Sequence, residues 1–294
     1  MDKQVGIRNY ERRRRDIVEM NLTSDLLSSV TFEDLLAAQD VLRIMTGMDE
    51  LIVLRVEPQR SFRNMYGHSS ISDVWAEDAA YNQYNLEIQI AENEDHLRRS
   101  RFIQSRIDSR CLSTGMEYGE LPELYLIFIT EKDFLGTNEG SFEIVHRIEG
   151  LGCQVDDGVH EMYANLEKPV DDDTKQRLLK YIKDTNNLEI STEGFENLAK
   201  RVNDLKSEEG GLRYMCSVME REWAEGRAEG REEGNLLHLI RQTIKKCEKG
   251  MAVGEIAEAL EEEVETIERI VMAIVITDSQ DAEEVYKEMK EIGV

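Results

Sequence analysis

The six consecutive apolar residues Leu124–Ile129 (LYLIFI) leave neither side of a strand for water. Side chains on a half-exposed strand alternate between core and solvent, so an unbroken run belongs in the middle of a sheet covered on both faces. The segments upstream supply the covering elements. From Leu26 to Met45 the apolar residues Leu27, Val30, Leu35, Ala38, Leu42 and Met45 recur near helical spacing, and Gly47 ends the run. Leu51–Val56 (LIVLRV) then reads as a strand stopped by Pro58. Ile71–Ala76 and Tyr84–Ile90 read as two further strands joined by the polar stretch Glu77–Gln83. A helix over Asp95–Leu112 follows, with Leu97, Ile103, Ile107 and Cys111 on one side and Gly115 as its stop. The order is helix, three strands, helix, strand. A crossover helix before the buried strand implies a parallel pair inside a mixed sheet with helices on it, an α/β fold.

Charge narrows what such a fold can do. The chain of 294 residues carries 36 Lys+Arg against 61 Asp+Glu, a formal charge of −25, and neither half is basic. That opposes nonspecific affinity for DNA, which depends on neutralising phosphates with Lys and Arg. Two segments run against the average. Residues 8–15 hold Arg8 and Arg12–Arg15 against Glu11, and residues 98–110 hold Arg98, Arg99, Arg101, Arg106 and Arg110 against Asp108. Either could be a solvated helix face or a phosphate contact. The longest apolar run, Ile270–Ile276, is far shorter than the roughly 20 residues of a membrane-spanning helix. Met1 is followed by Asp2, Lys3 and Gln4, not by the apolar stretch of a secretory signal. Cys111, Cys153, Cys216 and Cys247 lie far apart without a CxxC pair, as suits reduced thiols and no structural zinc. A cytoplasmic protein without membrane partners is expected.

The composition divides the chain into a basic N-terminal segment (1–20), a mixed-sheet domain (21–170), a helical extension with a connector helix (171–235) and a small acidic helical module (236–294). The connector, MEREWAEGRAEGREEGNLL, has many i,i+4 charge options and little apolar surface. The last module contains KGMAVGEIAEALEEEVETIERIV, which is spaced like a helix-turn-helix. Its run of glutamates, offset by Arg269 alone, would repel phosphate, so a protein contact or a homodimer through these helices is expected of it.

The hairpin around Ala80 sets acids where folding alone would avoid them. A turn centred there pairs residues whose numbers sum to about 160, so Asp73 faces Glu87. Directly opposed side chains sit roughly 4.5–5.5 Å apart at Cβ, and like charges there repel. A divalent metal held by hard oxygen ligands would compensate. Gln89, two residues beyond Glu87, shares its strand face. The other reading of this pair is an exposed, purely structural hairpin.

The stretch ISDVWAEDAAYNQYNLEIQ resembles the D…ExQ signature of the PD-(D/E)XK nuclease family transposases, the recombination-promoting nuclease group common in bacteria. The likeness continues through LRRSRFIQSRID, TGMEYGELPELYLIFI, DGVHEMYANL and FENLAKRVNDLKSEEGG, covering roughly residues 21–230. It implies a restriction-endonuclease-like fold and Mg²⁺- or Mn²⁺-dependent hydrolysis of DNA phosphodiesters, associated with transposition or recombination. Asp73 and Glu87 would be the metal-binding acids. Gln89 stands where many relatives have lysine and would orient a water or phosphate oxygen by hydrogen bonds, without lysine's charge. Asp25 occupies the place of the group's N-terminal Asp motif as a further metal acid, with Glu33 as the other, weaker candidate, although the Asp25 tail Leu26–Ser29 departs from that motif and an N-cap role is the alternative. Arg99, Arg101, Gln104 and Arg106 would contact phosphates, giving weak, salt-sensitive DNA binding. The competing reading is a nuclease fold that cleaves poorly or not at all and serves as an interaction scaffold.

Overall fold

The protein is described from a computed structural model that covers residues 3–62, 70–89, 96–112 and 115–291; the side chains of residues 3–9, 59–62, 70–73, 89 and 229 lie outside the description. Three helices come first, α1 (Lys3–Glu19), α2 (Asp25–Thr31) and α3 (Leu35–Thr46). Strands β1 (Val53–Phe62), β2 (Ser70–Asp78) and β3 (Gln83–Gln89) precede α4 (His96–Cys111) and β4 (Leu124–Thr130). Then come β5 (Ser141–Ile144), β6 (His146–Arg147), β7 (Gln154–Val155) and β8 (Val159–Asn165). Helices α5 (Asp173–Lys183), α6 (Glu196–Ser207), α7 (Glu209–Cys247), α8 (Val253–Leu260), α9 (Val264–Thr277) and α10 (Ala282–Glu291) complete the chain.

Six strands form one mixed sheet in the order β1-β2-β3-β4-β8-β5. β4 runs parallel to both β3 and β8, while the β1–β2, β2–β3 and β5–β8 pairs are antiparallel. All seven residues of β4 are buried, the position that its unbroken apolar run demands. On one face Tyr84, Leu86 and Ile88 of β3 and Tyr125, Ile127 and Ile129 of β4 pack with Leu27, Val30 and Leu42 of α2–α3 and with Leu178, Leu198 and Val202 of α5–α6. On the other face Trp75, Leu124, Leu126, Phe128 and Tyr163 pack with Ile103 and Ile107 of α4. The fold is the helix-flanked mixed α/β sheet that the pattern and the resemblance implied, with a helical C-terminal region.

Local chemistry moves several boundaries. Pro58 does not stop β1: the strand continues to Phe62 and Pro58 pairs with Val74. β1 is an edge strand, where a residue without an N–H is tolerated. The single helix expected over Leu26–Met45 is two, because the Asp34 Oδ1 accepts a hydrogen bond from Ala37 N (3.0 Å) and starts α3 as its N-cap. On α4 the buried face is His96, Ser100, Ile103 and Ile107, and Leu97 is exposed. The expected ends of the third strand at Ile90 and of the crossover helix at Asp95 lie outside the described residues.

The described residues form two compact units, one ending at Met219 and the other beginning at Glu220. In the second, Ile240, Ile244, Ile256, Ile267, Ile270 and Val285 make a separate core among the C-terminal part of α7, α8, α9 and α10. No described helix is long and apolar enough to cross a membrane.

Candidate active site

The β2–β3 hairpin is fixed at its turn by Asp78. Its Oδ1 accepts from Ala80 N (2.8 Å) and Asn82 N (2.9 Å), and its Oδ2 accepts from Asn82 Nδ2 (3.0 Å) and Tyr84 Oη (2.9 Å). The described pairs Glu77↔Gln83, Ala76↔Tyr84, Trp75↔Asn85 and Val74↔Leu86 keep the register in which partner numbers sum to 160. Asp73 is the next residue of β2, the position that this register sets against Glu87; its side chain lies outside the described residues, as does that of Gln89.

β3 is buried on both faces, yet only one is apolar. The residues facing α4 are Gln83, Asn85 and Glu87, at 5%, 0% and 1% exposure. An uncompensated carboxylate at such depth is costly, and α4 compensates Glu87 in part. Arg99 Nε donates to Glu87 Oε2 at 2.9 Å, whereas Oε1 has only a 3.5 Å contact with Asn85 Nδ2 among the described residues. Burial pushes the Glu87 carboxyl above its usual range, and the Arg99 charge and hydrogen bond pull it back only in part. One turn earlier, His96 is buried against Phe134, with ring centres 4.4 Å apart, and its Nδ1 has no partner among the described residues. Burial, then the Arg99 charge, lowers its pKa, so the imidazole is neutral at physiological pH. Across the sheet Tyr163 donates to Glu161 Oε1 at 2.7 Å, and burial followed by that acceptor raises the phenol pKa.

The other residues singled out in the sequence lie in varied surroundings. Arg101 is exposed and Arg106 half-buried on α4. Gln104 hydrogen-bonds Asp108 and lines a cavity of about 300 Å³ with Glu143, Asp156, Asp157 and Glu161, acidic walls that a phosphate would avoid. Asp25 is the exposed first residue of α2, and Ser24 holds the N-cap position, so the capping role read for Asp25 is not what the chain adopts. The apolar side of α2 packs on the sheet face opposite Glu87, and no described contact joins Asp25 to it. Glu33 accepts from Tyr214 Oη at 2.9 and 3.0 Å and thereby ties α7 to the first helices. Asn85, His96 and the Arg99–Glu87 pair escaped the sequence reading. Their signal was parity: Asn85 and Glu87 alternate onto one face of β3, and His96 with Ser100 recurs at the spacing of Ile103 and Ile107.

The donor chemistry at Glu87 suits a hard divalent cation, since a buried carboxylate oxygen with one long contact lacks the strong partner that such an ion provides. Among the described residues no group of three or more His, Cys, Asp or Glu could hold a metal, and Asp73 falls outside that set.

A family model described as PD-(D/E)XK nuclease family transposase matches residues 56–205, a span that includes β2, β3 and α4. No curated protein and no solved structure matches the chain.

Proposed function

We propose, because the chain belongs to the PD-(D/E)XK nuclease family transposases, that it is a metal-dependent DNA endonuclease acting in transposition or recombination. The family supports a nuclease kind of hydrolase, and nucleases of this superfamily typically use divalent metals. The observation that carries the finer reading is Glu87: a carboxylate at 1% exposure, one oxygen weakly engaged, on the polar row of β3 that faces α4. A carboxylate perturbed by burial beside a specific charge partner is a functional-site candidate on physical grounds.

In this reading Asp73 and Glu87 would hold Mg²⁺ or Mn²⁺, and Asp25, at the start of a helix packed on the opposite sheet face, takes no part. A cation held by these two carboxylates would supply charge neutralisation at a phosphate and lower the pKa of a bound water. Gln89 orients that water or a phosphate oxygen by hydrogen bonds. Arg99, Arg101 and Arg106 on α4 would meet backbone phosphates, while Gln104 faces an acidic cavity, and so few cations on an acidic chain make DNA binding weak and salt-sensitive. Two copies joined through the C-terminal helices would bring two sites to a duplex. Met272, Val275 and Ile276, exposed on α9, offer apolar surface for that contact. Residues 21–170 are read as the nuclease-like domain, 171–235 as its extension and connector, and 236–294 as the dimer module, in a cytoplasmic protein.

Purified protein incubated with supercoiled plasmid and Mg²⁺, beside Asp73→Ala and Glu87→Ala, tests the proposal. Nicking by wild type that both variants lose supports it; equal nicking by all three, or none by any, rejects it. The second outcome favours the scaffold reading, whose own support is that Arg99 already occupies one Glu87 oxygen.

A further inference from the structure

The lysine of the wider superfamily is absent here, with Gln89 in its place, so β3 brings no positive charge to Glu87. The cation beside that carboxylate comes from α4. Arg99 Nε donates to Oε2 at 2.9 Å, and the two side chains differ sharply in exposure, 41% for Arg99 against 2% for Glu87. The asymmetry decides which partner can leave. Glu87 is almost wholly withdrawn from solvent, and a buried carboxylate deprived of its counter-charge is strongly destabilised until another cation replaces it. Arg99 is already half in solvent, and its remaining N–H donors have no partner among the described residues. A guanidinium presents five donors in a fixed fork suited equally to carboxylate and to phosphate oxygens.

We propose that Arg99 is an exchangeable positioning residue: it holds Glu87 in the metal-free protein, gives it up to the divalent cation, and then turns its freed guanidinium toward the phosphate of the nucleic acid. The inference rests on the reading of Glu87 as a metal ligand. It also gives one residue two successive partners, so that the ion pair seen in the structure and a phosphate contact are alternatives in time. Loading of the cation and exposure of a phosphate-binding fork would be coupled through this one side chain.

The test uses the full-length protein at pH 8. Mn²⁺ affinity is measured by calorimetry for wild type, Arg99→Gln and Arg99→Lys, and the Arg99 Nε–H resonance, assigned from the two variants, is followed in wild type during Mg²⁺ titration. Without an internal cation to displace, Arg99→Gln should bind Mn²⁺ about tenfold more tightly, the scale of one hydrogen bond to a charged group. Arg99→Lys should stay near wild type, and the Arg99 Nε–H signal should shift and exchange faster with water as Mg²⁺ saturates. Equal Mn²⁺ affinities across the three proteins, or an Arg99 signal unmoved by saturating Mg²⁺, would overturn the exchange while leaving the metal site standing. Absence of Mn²⁺ binding by wild type would overturn the metal site and the exchange together. The wild-type resonance decides the question even where Arg99→Gln fails to fold.

Discussion

Lys206 and Glu87 are both charged groups withdrawn from water, at 7% and 1% exposure, but they are treated differently. The Lys206 ammonium donates to Met20 O (2.8 Å), Thr185 Oγ1 (2.8 Å) and Asn186 Oδ1 (2.7 Å), so all three of its protons are used. Asp40, on the same side of the molecule, is equally satisfied: Oδ2 accepts from Asn197 N (2.8 Å) and Leu198 N (3.0 Å), and Oδ1 accepts from Asn197 Nδ2 (3.0 Å), which caps α6. Both residues join elements far apart in the chain, and nothing is left over for a ligand. Glu87 has one strong partner and one oxygen poorly engaged, on an element that needs no tether. A saturated buried charge is a staple, whereas a half-saturated one is a cost that folding alone gives no reason to keep.

If that distinction holds, the largest effect in the molecule follows replacement of Glu87. Glu87→Gln should reduce Mg²⁺-dependent plasmid nicking at least about a hundredfold, more than the loss of an outer-shell partner costs a metal site, while circular dichroism stays that of wild type. Next comes its apolar neighbour. Leu86, fully buried on the opposite face of the same strand, should cost about 3 kcal/mol when changed to Ala, measured by urea unfolding, with nicking per folded molecule retained. A Leu86→Ala protein of unchanged stability, or a Glu87→Gln protein that unfolds, would erase the contrast between the two faces of β3.

The two faces also differ in how readily the sequence reveals them. The apolar face of β3 and the core of β4 are legible because burial there follows side-chain hydrophobicity and strand alternation directly, and the Val74↔Leu86 register follows from the length of the loop. The break at Asp34 is less legible, since it depends on one side chain capturing Ala37 N within a run whose apolar spacing continues past it. Continuation of β1 through Pro58 is invisible until the strand is known to lie at the sheet edge. On the α4 face, hydropathy misleads: Leu97 is exposed while His96 and Ser100 are buried, because the facing row of β3 is polar. That row cannot be told from a solvated one until α4 is seen to cover it. β8, completing the parallel trio, escapes for a related reason, as VHEMYAN mixes charge with apolar residues along a strand whose first half is only part-buried.

A smaller effect sharpens the contrast through pH. Burial holds the Glu87 pKa above that of the unfolded chain, so the folded state retains its proton to higher pH. The stability this contributes is present in full below the unfolded carboxylate range and is lost as pH rises through the folded pKa. At pH 7.5 the titratable Glu87 carboxyl is therefore a net burden, and Glu87→Gln should melt above wild type there, with the gap closing toward pH 4. A variant that melts below wild type at pH 7.5 would show instead that the Arg99 pair repays the burial.

Lys206 provides the smallest and most discriminating readout. Desolvation lowers its pKa from 10.5 to about 8, with Asp184 partly opposing the shift. Between those two values the unfolded chain holds the lysine proton and the folded one has released it, so this group makes stability rise with pH across the window. Tyr181, raised to about 12 by burial, acts oppositely, but only above the ordinary tyrosine pKa of 10. Lys175, lowered by burial, and Cys247, raised by it, also act near this window, so the Lys206 contribution is read between pH 8 and 10 as the difference between wild type and Lys206→Gln. Lys206→Gln keeps a donor toward Met20 O, Thr185 Oγ1 and Asn186 Oδ1 but has no titrating charge, so its melting temperature should lack the upward component over that interval, while Mg²⁺-dependent nicking at pH 8 stays unchanged. A saturated staple predicts this separation, stability altered and chemistry spared, and it is the mirror image of the outcome expected at Glu87. If Lys206→Gln instead lost nicking in proportion to stability, the two buried charges would belong to one cooperative unit, and the division between staple and site would have to be abandoned.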